Sequence, residues 1–401
     1  MLEVRPATAD EMPELRRVVT AALAMDPSET SAFEPEMSLC VFDDDRLASV
    51  HGSWPLTMRF NGKAAPISGV TMVATHPPDR GKGHLRRLTT NHFHELLETG
   101  ERPLAVLYAS QAQIYQRFGY AVVSTHHSYR VEPRFLQFSE PLAIEGSIRE
   151  VDQDRDFGML VDLYRAYRDD RTGLLHRGRP MWNAGVLAPV HEKGATKQVV
   201  VYEEHGEALG YSVYTVQPDG ERQPPEPGQK VVINDLVALT PVAYQAFWRH
   251  LAGFQLARFI EWPQVPEDDP LPHLLLEPRM LRDTARDGLL ARVVDLPRAV
   301  DARGYDTAAT ISVDLIDELC PWNAGAWQLD LGPEGTHTTR LGAGEPDLSM
   351  SINTFAMLLF GQVSATQAAR AGRVGVHNRD ALDRWNRVLA TRYAPFCADG
   401  F

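Results

Sequence analysis

The chain has 401 residues, 44% of them hydrophobic and 23% charged, with a formal net charge of −13. That length exceeds one ordinary core and predicts two or three domains. The negative charge argues against a nucleic-acid partner, because phosphate backbones repel it; it suits a small cationic substrate, although solubility alone also accounts for it. Cys40, Cys320 and Cys397 are scattered and odd in number. They form no disulfide framework or zinc spacing, so a reducing, cytoplasmic setting without a metal is expected. Leu2-Glu3-Val4-Arg5 is not a signal region, and no run of about 18 apolar residues occurs, so no membrane partner is expected. Unconventional export stays open.

In chain order, Leu2–Arg5 reads as a strand and Asp10–Met25 as a helix, with Met12, Leu15, Val18, Val19, Ala22 and Leu23 at helical spacing. Ser38–Phe42 and Arg46–Trp54 read as strands joined by the turn Asp43-Asp44-Asp45, and Pro66–Thr75 as a third, rich in β-branched residues. Gly83–Thr99 reads as a helix, Leu104–Tyr108 as a strand, and Ala112–Phe118 as a short helix stopped by Gly119. This alternation predicts an α/β first domain over residues 1–147.

A second domain, 148–296, is expected from the helix Phe157–Tyr167, the strands Gln198–Tyr202 and Leu209–Val216, the loop Gln217–Gly228, the strand Val231–Leu239 and the helix Pro241–Ala257. The order loosely repeats the first domain and suggests an internal duplication. A third domain, 297–401, follows. Its expected strands are Thr310–Glu318, Trp327–Leu331, Thr336–Leu341 and Leu348–Ile352, and its expected helices Thr354–Phe360, Ser364–Ala371 and Arg379–Arg392.

The strongest chemical signal is Val73-Ala74-Thr75-His76-Pro77-Pro78-Asp79-Arg80-Gly81-Lys82-Gly83-His84-Leu85-Arg86-Arg87-Leu88, a strand running through a glycine turn into a helix. Glycines let a backbone approach a diphosphate, and the amides of Gly81 through Leu85 offer N–H groups at the helix start. Arg80, Lys82, Arg86 and Arg87 add positive charge. A basic turn that merely caps a helix is the plain alternative.

With the downstream piece Tyr108-Ala109-Ser110…Ile114-Tyr115-Gln116-Arg117-Phe118-Gly119-Tyr120, this turn resembles the GNAT acetyltransferase superfamily. Arg80-x-x-Gly83-x-Leu85 is similar to its pyrophosphate loop, with Leu85 where a small residue is usual. Across the whole chain the sequence resembles the Eis (enhanced intracellular survival) family: a GNAT domain, a GNAT-like domain without a phosphate loop, and a sterol-carrier-like domain. Asp347–Ile352, Phe355-x-x-Leu358-Leu359-Phe360-Gly361 and Ala371-Gly372-Arg373-Val374 carry the last likeness. The fold class implied is α/β (α+β), with tandem GNAT-like domains before the sterol-carrier-like one.

The resemblance implies an acetyl-CoA-dependent N-acetyltransferase with one cofactor site, at Met72, Val73, Thr75, Arg80, Gly81, Lys82, Gly83, His84, Leu85 and Ser110. Val73 and Thr75 would offer amides to the developing oxyanion. Tyr115 would protonate the departing thiolate. The free carboxylate of the terminal Phe401 would act as base; with an ordinary pKa of about 3.3–3.7 it needs burial or a water relay to do so. Asp26, Phe33 and Glu36, in an acidic aromatic segment, would bind the amine. The resemblance also implies a broad amine scope, aminoglycosides included, and a homohexamer. Two rivals remain: a non-enzymatic lipid or sterol carrier, and an aminoacyl transferase using charged tRNA, which the acidic balance disfavours.

Overall fold

Met12, Leu15, Val18 and Val19 are buried along one face of helix α1 (Met12–Leu23) in the computed structural model, which describes residues 2–24, 30, 32–221, 223, 225, 227–342 and 344–401. The helix is introduced by a capping box in which Glu11 accepts from the Thr8 amide at 2.8 Å. The chain forms two units: unit 1 holds residues 1–123, 289–391 and Phe401, and unit 2 holds 124–288 and 392–400.

Unit 1 begins with β1 (Leu2–Arg5), β2 (Ser38–Asp43), β3 (Arg46–Phe60), β4 (Lys63–Thr75), β5 (Leu104–Leu107) and β6 (Ala121–Val122). Their sheet runs β1-β2-β3-β4-β5, then a strand from residues 290–293, then β6. The β3–β4 hairpin is longer than its sequence suggests. Pro55 and Pro66 interrupt the strand pattern, yet the strands pair through to Phe60↔Lys63. Asn61 and Gly62 close it with φ of 46° and 92°, the left-handed pair that a tight hairpin turn demands. Helix α2 (His84–Thr99) buries Leu88, Phe93 and Leu96 and stops at Gly100 in the left-handed region.

Unit 2 repeats this plan. It contains β7 (Thr125–Val131), β8 (Ser147–Glu150), β9 (Thr196–Glu204), β10 (Glu207–Pro218), β11 (Gln229–Ala238), β12 (Ala257–Pro266) and β13 (Thr284–Asp287). Read from β8, its sheet runs β8-β9-β10-β11-β12-β7-β13, with β11 and β12 parallel as β4 and β5 are. Period-2 burial splits its residues between two cores. Val199, Val201, Tyr211 and Val213 pack with Leu160 and Tyr164 of the helix Phe157–Arg168. Val200, Tyr202 and Tyr214 pack with Phe247 and Trp248 of the helix Pro241–Ala252. That helix ends before the expected Ala257, because β12 begins there.

The remainder of unit 1 opens with β14 (Leu290–Val293), the strand that completes the first sheet between β5 and β6. Next come β15 (Ala309–Ile316), β16 (Gly325–Gly332), β17 (Gly335–Arg340), β18 (Leu348–Ser351) and β19 (Val374–Val376), in the order β17-β16-β15-β18-β19. The helix Ile352–Phe360 is capped by Ser351, buries Phe355, Leu358 and Leu359, and ends at Gly361 with φ 82°. Arg303, fully buried, donates to the carbonyls of Leu359 (2.8 Å), Leu389 (2.7 Å) and Ala390 (3.0 Å), joining two helix ends. Within unit 1 this part meets the first sheet through Phe60 and Phe360, whose ring centroids lie 4.6 Å apart.

Two buried histidines give the first sheet an acid sensitivity. His51 and His92 rings are 4.8 Å apart, and His92 Nε2 meets Ser68 Oγ at 2.9 Å. Burial lowers His51 from 6.5 to about 4 and holds His92 well below its ordinary value. Both bind protons more readily when unfolded, so their contribution is intact above about pH 6.5 and is lost as pH falls toward 4, by up to about 3 kcal/mol for His51. His51→Gln is expected to flatten the fall of Tm between pH 7 and 5. A Tm–pH slope equal to that of the wild type would refute this.

Candidate active site

The turn between β4 and α2 is built to leave amides open. Pro77–Asp79 form a single 3₁₀ turn, after which Gly81 and Gly83 both take φ of 80°. A Cβ at either glycine would meet nothing within 4 Å. Backbone conformation therefore requires these glycines, and the space over the turn is open. Helix α2 starts at Gly83 with no side-chain cap and no acidic residue in its first turn. Its leading N–H groups and the positive end of its dipole face that space.

The charges around the turn are not equivalent. Asp79 is buried and accepts from Arg46 at 2.7 and 2.9 Å and from Lys82 at 2.7 Å. Those two cations, Arg46 foremost, hold its carboxyl far below the usual range. The Lys82 ammonium is thus already paired, whereas Arg80 is exposed and makes no ion pair among the described residues. The His84 ring is buried, and burial lowers its pKa. Leu85 packs against the buried cluster that holds Val70, Phe93 and Leu107, which gives the larger side chain its room.

The second feature is a fork between β4 and β5. These strands pair in parallel at Ile67↔Leu104, Ser68↔Ala105 and Gly69↔Val106, and then diverge. On the β4 side follow Thr71, Met72, Val73 and Thr75. Met72 has φ 51°, at a register shift opposite Val50 and Gly52, a bulge that re-aims the following amides. On the β5 side follow Tyr108 and the exposed Ser110.

Phe401 sits in this fork. Thr71 Oγ1 donates to its main-chain carboxyl oxygen at 3.2 Å, and its ring lies 5.5 Å from that of Tyr108. A Cβ on Gly69 would come within 3.0 Å of the ring, so a glycine there makes the seat. Thr71 and Gly69 were not legible as site residues, because their partner lies at the far end of the chain.

Tyr115 lies on α3 (Ala112–Gln116), half-buried, edge-on to Tyr120 at 5.9 Å. Burial raises its pKa. Its hydroxyl makes no hydrogen bond among the described residues, which leaves the proton available. Residues far along the sequence fix this helix. Asn353 Nδ2 donates to the carbonyls of Gln116 (2.8 Å) and Tyr120 (2.7 Å). Gly119, φ 88°, leaves room for the Arg292 guanidinium, which is paired with Asp317 at 2.7 Å.

The residues expected to bind the amine are placed differently from one another. Glu36 is exposed in the turn Pro35–Met37. Phe33 is 1% exposed, packed against Gly52 and edge-on to Trp54 at 5.6 Å. It is a core residue, and Trp54, half-buried, presents the ring nearer solvent. Asp26 lies outside the described residues. Among the described residues no group of three potential metal ligands gathers, and no helix is long and apolar enough to cross a membrane.

Residues 3–123 and 173–293 each match an acetyltransferase (GNAT) domain family, and residues 296–398 match a sterol carrier protein domain. The chain is 31% identical to an uncharacterized N-acetyltransferase of Streptomyces avermitilis, over 92% of this chain and 90% of that one. It is 28% identical to N-acetyltransferase Eis of Mycobacterium tuberculosis, over 81% of this chain and 78% of that one. The structure matches the crystal structure of Eis1 from Mycobacterium abscessus with a TM-score of 0.83, 26% identity and full coverage of both chains. It matches a GCN5-related N-acetyltransferase from Anabaena variabilis with a TM-score of 0.87 at 20% identity, over all of both chains, a likeness of fold.

Because Lys82 is committed to Asp79 and Arg80 is not, Arg80→Met is expected to weaken coenzyme A binding by about tenfold, the loss of one charge-assisted contact, and Lys82→Met by less than about threefold. Calorimetric titration of both variants checks this; an equal or larger loss for Lys82→Met would refute it.

Proposed function

The chain belongs to the Eis-type GNAT N-acetyltransferases, with two acetyltransferase domains and a sterol carrier domain, and on that premise we propose that it acetylates primary amines of small cationic molecules, such as aminoglycosides or lysine-type amines. It is an acyltransferase, and members of this superfamily take acetyl-CoA as co-substrate. We assign residues 1–123 with β14 to the catalytic domain, 124–288 to the GNAT-like domain and the part of the chain from 296 to the sterol-carrier-like domain. These bounds move from the expected 147 and 296 because β7 pairs in the second sheet and β14 in the first. We expect a cytoplasmic homohexamer from the family likeness.

The observation that carries the reading is the fork: an open-amide turn at Gly81–Gly83 beyond its β4 arm, and the chain's terminal carboxyl hydrogen-bonded to Thr71 within it. The uncapped first turn of α2 and the open space above it fit a diphosphate, held by the amides of Gly81 through Leu85 and by Arg80. Ser110 places the thioester arm. The Met72 bulge supports an oxyanion site at the amides of Val73 and Thr75.

The amine arrives protonated. Its first proton passes to the Phe401 carboxylate, directly or through water, and the freed nitrogen attacks the thioester carbon. As the tetrahedral centre collapses, the C–N bond is kept and the C–S bond breaks. Tyr115 donates its phenolic proton to the thiolate and regains one as the new amide nitrogen sheds its second. Tyr115, a phenol with an ordinary pKa of about 10 that burial raises further, is protonated at neutral pH, as an acid requires. Glu36, Asp26 and the half-buried Trp54 would gather the cationic substrate, with Phe33 packed edge-on behind Trp54 in the core.

Thiol release with acetyl-CoA and a panel of aminoglycosides, polyamines and lysine peptides tests this. Tyr115→Phe and a chain lacking Phe401 are each expected to lose about 100-fold or more in kcat, the usual worth of a positioned acid or base. Loss only in Tyr115→Phe would remove the terminal base and keep the acetyltransferase. No release with any amine, together with no acetyl-CoA binding, would overturn the reading.

A further inference from the structure

The second sheet has its own fork. β11 and β12 pair in parallel as far as Val232↔Glu261 and then separate. In unit 1 the equivalent strand leads into the glycine turn. Here Leu239-Thr240-Pro241 runs straight into a helix whose start is closed by its own residues: Thr240 Oγ1 accepts from the Ala243 amide at 3.1 Å, and Pro241 has no N–H to offer. No diphosphate cradle remains.

This second fork is filled from within unit 2. Its cavity is lined by Tyr164, Asp235 and Trp262 together with Phe396 and Ala398 of the C-terminal segment. Arg177, its side chain 1% exposed, joins the two: it pairs to Asp235 of the lining at 2.5 Å and to Asp399 of the C-terminal segment at 2.8 Å. The guanidinium lies 3.9 Å from the Tyr164 ring centroid, and Tyr211 donates to Asp235 at 2.8 Å. Upstream, the Phe396 amide donates to the Thr172 carbonyl at 2.9 Å, and a Cβ on Gly173 would come 2.6 Å from the Phe396 carbonyl oxygen. The Ala394 amide donates to Asp268 at 2.8 Å.

We propose that the fork of the second GNAT-like domain is a peptide-binding site whose ligand is the chain's own segment 394–399, and that Arg177 is a positioning residue for the terminal carboxylate. Three properties carry this. Backbone amides at two places in the segment are matched by acceptors, as in a bound peptide. The one charged side chain near its end is matched by a fully desolvated arginine: removing Arg177 strands Asp399 and Asp235 without their counter-charge, and removing Asp399 leaves Arg177 held by Asp235 alone. Last, Phe401 is two residues beyond Asp399, and two residues span at most about 7 Å. With Asp399 fixed, the carboxylate has only a short arc to search, and this lowers the entropy lost in seating it. The duplicated domain thus serves catalysis by holding a tail rather than a cofactor.

The positioning claim rests on Phe401 being the base; the peptide site does not. Cys397 is fully buried in the segment and reports its release. Full-length Asp399→Ala and Arg177→Met would be treated with iodoacetamide, alkylation at Cys397 read by peptide mass, and kcat and the KM for acetyl-CoA measured alongside. Both variants are expected to label Cys397 at least about tenfold faster and to lose about tenfold in kcat, with KM within about twofold, as for a lost charge-assisted contact. Where Arg177→Met fails to fold, Asp399→Ala, at the end of the chain, decides. Unchanged labelling in Asp399→Ala overturns the peptide site. Faster labelling with unchanged kcat overturns the positioning role; if the chain lacking Phe401 is then also fully active, the base assignment fails and the peptide site stands.

Discussion

A parallel strand pair that separates before its strands end leaves main-chain groups with no partner in the sheet. Every buried N–H and C=O must still be satisfied. In unit 1 that constraint arises where β4 and β5 part, past Gly69 and Val106, and the rest of the proposed site depends on it. The bulge at Met72 turns the following amides, Thr71 faces the Phe401 carboxyl, and the strand runs on to a turn whose amides no side chain caps. A left-handed backbone at a residue such as Met72 costs about 1–2 kcal/mol, which a stability-driven sheet would not retain.

The two sheets show how little separates a ligand site from a closed structure. They share their strand order and their parallel pair. What differs is the residue chemistry just beyond the fork. Gly81 and Gly83 hold a left-handed turn with no side-chain cap after it, whereas Thr240 and Pro241 close the helix start with a hydroxyl and a missing donor. The distinction is local, and for that reason the sequence reading finds it: the second domain lacks the glycine turn, and one cofactor site per chain is the expectation.

Features that depend on spacing within about twenty residues were legible: the amphipathic helix at Met12–Leu23, the strand–turn–helix at 73–88, and Tyr115 ahead of Gly119. Features made by distant pairs were not. Thr71 and Phe401 are 330 positions apart, and Asn353 reaches back 237 to Gln116; no periodicity encodes such contacts. β12 was missed because Pro263 and Pro266 break its pattern and a helix was extended over its start. Phe33 read as a binding-face aromatic because its neighbours are acidic, yet the absence of a side chain at Gly52 draws it into the core.

Buried arginines recur wherever one segment must be held to another: Arg292 with Asp317 beneath Gly119, Arg303 on three helix-end carbonyls, Arg177 between two aspartates. Such groups are weak sources of net stability, because desolvation offsets most of the attraction. An apolar contact of equal size would hold these segments as firmly. Unlike an apolar contact, a fully desolvated guanidinium tolerates few alternatives: a shifted partner leaves charge unpaired in a low dielectric. The cost of a wrong register is therefore steep even where the gain from the right one is modest. A proposed site assembled from a turn near residue 80, a helix near 115 and the last residue of the chain needs that steepness more than it needs stability. It explains why charge, rather than packing alone, sits at each of these junctions.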